Sequence, residues 1–124
     1  MLKERRILKY TSHESIKVAK QIIESLGGVS RVEWVIINTP HSMQGKDPKE
    51  MSWDEFPLRI LAKDLEGNSH VIYVPMVSTG YKGSGSTDMK DILKYCEVEQ
   101  MPNVFEENFI VQWIHCVHNN KECK

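Results

Sequence analysis

The chain has 124 residues, 40% of them apolar and 27% charged, the balance of a globular domain rather than a disordered one. That length suits a single domain and buries a core without metal or disulfide staples. With 16 basic and 17 acidic residues the formal net charge is -1, which argues against the positive coat of a general nucleic-acid binder.

The N-terminus, MLKERRILKY, carries its charges early, and no apolar stretch of signal-peptide length follows. No run approaches the roughly 18 apolar residues of a membrane span. The three cysteines, Cys96, Cys116 and Cys123, are sparse and odd in number, which we read as reduced thiols in a cytoplasmic setting. Residues 1–10 read either as an N-terminal arm, with Lys3, Arg5, Arg6 and Lys9 as its basic face, or as a first short strand.

Thr11 and Glu14 have capping-box spacing and open a helix. Ile16, Ala19, Ile22, Ile23 and Leu26 continue it as one apolar stripe, and Gly27 and Gly28 end it. RVEWVIIN (31–38) is β-branched and aromatic, hence a strand. The polar stretch 39–57, with Pro40, Gly45, Pro48 and Pro57, reads as a long loop, and such loops often serve function. Trp53 and Phe56 imply that its second half packs on the domain. LRILAKDL (58–65) and SHVIYVPMV (69–77) flank Glu66-Gly67-Asn68 as a β-hairpin, with Pro75 marking an edge or bulge.

The loop GYKGSGSTD (80–88) follows. Met89, Ile92, Leu93 and Cys96 then repeat at helical spacing, NFIVQWIHCVH (108–118) reads as a last strand, and 119–124 as a frayed tail. The expected fold is a single α+β domain: a mostly antiparallel sheet of about four strands, with two helices packed on one face.

The glycine loop is the candidate site. Convergent backbone amides at a helix start answer a phosphate, and glycine lets the ligand come close. Gly83 and Gly85 would shape the turn, Ser84, Ser86 and Thr87 add hydroxyls, Lys82 adds charge, and Tyr81 a stacking surface. Asp88 would accept from an adenine amine or a ribose. The loop matches neither the Walker pattern nor the dinucleotide fingerprint. Asp88 and Asp91 in the first helical turn would repel an anion, and Ser86 or Thr87 as a simple N-cap is the plain alternative. His41 and Lys46 would join the site if the strands before the two loops are parallel neighbours, so that both loops share one rim, and Trp53 would close over the ligand.

His115, Cys116, His118 and Cys123 offer thiolate and imidazole, but their spacing fits no common zinc pattern, so no metal is expected. No local nucleophile signature appears, Cys96 reads as a small core residue, and no cofactor or catalytic residue is assigned. Trp34 and Trp113 read as core or interface anchors. The functional expectation is a cytoplasmic homo-oligomeric binding protein that holds a phosphate-bearing small molecule, a nucleotide or nucleotide signal. It would sequester that ligand as phage- or host-encoded defence-related proteins do. A protein-interaction module or enzyme inhibitor using 39–57 is the first alternative. A small phosphoester hydrolase using His41 or a Cys/His pair is the second.

Overall fold

The computed structural model describes residues 2–38, 47–79, 83–98, 103–104 and 113–117, the side chains of 113–116 excepted. Along these residues five strands and two α-helices follow in the order β1 (Leu2–Arg6), α1 (Ser12–Leu26), β2 (Val32–Ile37), β3 (Leu58–Lys63), β4 (Ser69–Val74), α2 (Ser84–Tyr95) and β5 (Trp113–Cys116). The expected α+β content and largely antiparallel sheet are present. Against about four strands expected, the described residues form a five-stranded sheet in the order β1-β4-β3-β2-β5. The added strand is the basic N-terminal segment, which pairs parallel to β4, from Leu2 beside Ser69 to Arg6 beside Tyr73. Pro75 falls just after the last residue of β4, so it costs the ladder nothing.

Helix α1 forms where its end signals place it. Thr11 is the N-cap, and its hydroxyl accepts from the Glu14 amide at 3.1 Å. The same hydroxyl donates to the Glu14 carboxylate, in place of the reciprocal backbone contact of a full capping box. At the other end the Gly27 and Gly28 amides donate to the Glu24 and Ile23 carbonyls. Gly27 has φ +123°, and a Cβ there would lie 3.1 Å from side-chain atoms of both Arg31 and Leu65, so any other residue is strained at this position.

Alternate strand residues meet the apolar stripes of both helices in one core. Val35, Ile37, Leu58, Ile60, Ile72 and Val74 join Ile16, Ala19 and Ile23 of α1 and Met89, Ile92 and Leu93 of α2. Burying each such aliphatic side chain contributes about 1.5–3 kcal/mol. Trp34, read as a core or interface anchor, is half-buried; the register of β2 against β3 shifts between Val32 and Trp34. No described helix is long and apolar enough to cross a membrane.

The hairpin turn between β3 and β4 is held by Asp64. Its carboxylate meets His70 Nε2 at 2.8 Å and accepts from the Asn68 and Glu66 amides. The His70 contact, then those amides, hold the carboxyl well below the usual carboxylate range, against the opposing effect of burial. A depressed folded-state value stabilises the native state above the unfolded value of about 4 and ceases to do so as acid titrates the folded carboxylate. Asp64→Asn is therefore expected to lower the melting temperature by several degrees at neutral pH. That gap should close as the pH is taken from about 5 towards about 2. Melting curves of both proteins across this range check it, and a gap independent of pH would contradict it.

Candidate functional site

Strand directions decide which loops meet. β2 and β4 both pair antiparallel with β3, which lies between them, and β1 runs parallel to β4. The carboxyl ends of β1, β2 and β4 therefore share one rim of the sheet with the start of β3. The segments that follow β2 and β4, which carry the two loops singled out in the sequence, both leave from it. β2 and β4 thus run the same way, but β3 stands between them, so they are not the parallel neighbours set as the condition for His41 and Lys46 to join the glycine loop. His41 and Lys46 themselves, like Tyr81 and Lys82, lie outside the described residues.

Both helices also begin at this rim. α1 follows β1 and α2 follows β4. Ser12, Lys20 and Glu24 of α1 bond in the same order to Asp88, Asp91 and Tyr95 of α2, so the two run in the same direction. Two helix N-termini thus bring their positive ends to this rim.

The start of α2 corrects the sequence reading. The helix begins at Ser84, not near Met89, so Ser84, Gly85, Ser86, Thr87 and Asp88 are helical. Gly83, in extended conformation, is the N-cap, and neither Ser86 nor Thr87 serves as one. No acidic residue lies in the first turn; Asp88 and Asp91 fall in the second. The repulsion expected there is correspondingly weaker. Asp88 accepts from the Ser12 hydroxyl, which commits one of its oxygens to joining the helices. The Thr87 amide is spent on the Gly83 carbonyl at 2.9 Å. The amides of Ser84, Gly85 and Ser86 precede the first complete helical bond, and no side chain caps this turn.

Gly85 is buried and its carbonyl accepts from the Ser78 amide at 3.2 Å, which ties the segment leaving β4 to the first turn of α2. Ser86 is fully buried and its hydroxyl has no partner, and the same holds for the hydroxyl of Thr79, 6% exposed. These two residues bracket the glycine loop. Buried hydroxyls are nearly always hydrogen-bonded, so a pair that is not requires a reason.

On the other side of β3 and β4 the same rim carries a cationic and aromatic group that the sequence reading missed. Arg59, only 9% exposed, sits opposite Tyr73 of β4 and Ile36 of β2. Its guanidinium lies 5.4 Å from the centre of the Trp53 ring, and its Nε and Nη2 have no partner. Phe56, fully buried, packs on Tyr73 with ring centres 5.3 Å apart, and Arg6 stacks on the Phe56 ring at 5.3 Å and donates to the Met51 carbonyl. The Tyr73 hydroxyl donates to Glu4 at 3.2 Å; burial, then Glu4, pushes its pKa up. Trp53 is 58% exposed, so the second half of the 39–57 segment packs through Met51 and Phe56 and leaves this indole open. The signal available was an arginine at the second position of an apolar strand, just after an aromatic-bearing loop.

No protein-family model matches this chain, and no curated protein or solved structure is significantly similar to it. Function is therefore argued from the site. Four described residues hold buried polar atoms without partners, and three of them, Arg59, Thr79 and Ser86, stand at this rim; His70 is the fourth, at the opposite end. Cys96 is buried, and burial pushes its thiol up to about 12, so at neutral pH it is no thiolate nucleophile. The side chain of Cys116 and all of His118 and Cys123 lie outside the described residues.

Proposed function

We propose that this chain is a small binding protein that holds a phosphate-bearing small molecule, a nucleotide in the first instance, at the start of α2. One observation carries the reading. The first turn of α2 is uncapped, and the buried hydroxyls on either side of its loop, Thr79 and Ser86, have no partner. Amides at a helix N-terminus favour an anion through both hydrogen bonds and the helix dipole. We further read α1 and α2 as covering one side of the sheet, so that their N-termini reinforce one another. Lys82 would supply charge and Tyr81 a surface for the base, on the strength of their positions in the loop. Asp88 acts by holding α2 against α1 through Ser12. No residue is assigned to bond breaking, so the reading is retention of the ligand rather than turnover, in keeping with sequestration of a nucleotide signal.

Thermal shift against inorganic phosphate, sugar phosphates, nucleoside mono- and triphosphates and the parent nucleosides tests this. A ligand at 100 times its dissociation constant stabilises the folded form by about 2.7 kcal/mol, a rise on the order of 10 °C for a domain of this size. We expect such a rise with at least one nucleotide and none with its nucleoside. A melting temperature unmoved by every phosphate compound overturns the assignment.

A further inference from the structure

Arg59 stands apart from the α2 site and needs its own explanation. A buried guanidinium is normally held by a carboxylate or by carbonyls, because leaving its donors bare is unfavourable. Here the unpartnered atoms are Nε and Nη2. Their N–H bonds lie along one edge of the planar fork and point the same way, with the spacing of two oxygens of one carboxylate or phosphoryl group. The carboxylate brought to the neighbouring Tyr73, Glu4, is engaged by the tyrosine hydroxyl. Arg6, on the same side, is turned onto Phe56 and Met51. Over the guanidinium lies Trp53, more than half exposed and therefore free to turn into solvent at little cost in packing.

We infer that Arg59 is a second oxyanion site: its Nε–Nη2 edge takes a carboxylate or phosphoryl group side-on, and Trp53 swings aside to admit it and stacks on whatever ring the ligand carries. The site lies on the side of the sheet that bears Tyr73, and it stands or falls independently of the reading at α2. A planar aromatic acid or an aryl phosphate fits this combination of fork and indole; the two share the chemistry recognised, and the probes separate them.

The test is titration of the whole chain with benzoate, phenyl phosphate and inorganic phosphate. It is followed by the Arg59 Nε–H resonance, assigned by its loss in Arg59→Met, and by the indole fluorescence that disappears in Trp53→Phe. The expected result is a saturable downfield shift of that resonance, with a parallel fluorescence change for the aromatic probes. A larger response to benzoate identifies a carboxylate site, and a larger response to phenyl phosphate a phosphoryl site. Arg59→Lys keeps the charge but not the paired donors, and should bind at least about tenfold more weakly. Thr79→Val should leave the titration unchanged, which keeps this site distinct from the one at α2. Arg59→Met should melt at or above the wild-type temperature, since relief of the unsatisfied buried cation outweighs the lost stacking on the exposed Trp53 ring. The inference is overturned if the Arg59 resonance is indifferent to all three probes, if Arg59→Lys binds as well as wild type, or if Arg59→Met melts well below it.

Discussion

Phe56→Ala is expected to destabilise the protein by about 3–5 kcal/mol, the range for removing a fully buried phenyl ring. Phe56 is wholly shielded from solvent, and its ring touches Tyr73 while Arg6 stacks on it. No other aromatic among the described residues anchors residues 47–57 to the sheet so completely; Trp53 is mostly exposed. The loss therefore combines transfer, cavity, ring–ring and cation–π contributions. A domain of this size has about 5–15 kcal/mol in total, so the variant sits close to its unfolding threshold. Urea denaturation provides the measurement: a lower midpoint with an unchanged slope, against a Phe56→Leu control that loses less than about half as much. A loss under about 1 kcal/mol would mean that residues 47–57 are held by their hydrogen bonds alone. Those run from the Asn38 amide to the Pro57 carbonyl, from the Asn38 side chain to the Asp54 carbonyl and from Arg6 to the Met51 carbonyl.

This prediction touches the part of the molecule that was least legible beforehand. Helix α1 could be read because its cap, stripe and terminal glycines are all local, and the β3–β4 turn for the same reason. The rim could not, because it depends on β3 standing between β2 and β4 and on β1 joining the sheet, and non-local pairing leaves no mark in a single sequence. The start of α2 was misplaced for a different reason. Gly-Ser-Gly-Ser has poor helix propensity, yet Gly85 and Ser86 are buried in the first turn, and packing overrides propensity there. Arg59 escaped notice because alternation along LRILAK predicts only that it faces away from Ile60. Its burial comes from neighbours that alternation does not reveal: Tyr73, opposite it on β4, and the preceding segment with Trp53 and Phe56, which folds back over this side of the sheet.

Thr79→Val and Ser86→Ala are expected to move stability and ligand response in opposite directions, which makes them the sharpest probe of the α2 reading. Each wild-type hydroxyl is buried without a partner, and an unsatisfied buried polar group costs about 1–3 kcal/mol. Valine replaces threonine at nearly constant volume and alanine leaves serine's place almost filled, so neither substitution opens a large cavity. The unliganded variants should therefore melt several degrees above wild type. If the hydroxyls are kept for an anion at the first turn of α2, the same variants should lose most of the stabilisation given by the nucleotide that shifts wild type, the double variant most of all. Paired thermal melts with and without that nucleotide separate the cases. Higher unliganded stability with an undiminished response would make the bare hydroxyls incidental to binding. Lower unliganded stability would make them part of the packing between α1, α2 and the segment leaving β4. Only a gain in the first measurement joined to a loss in the second is the pattern of a site that gives up stability to stay ready for its ligand.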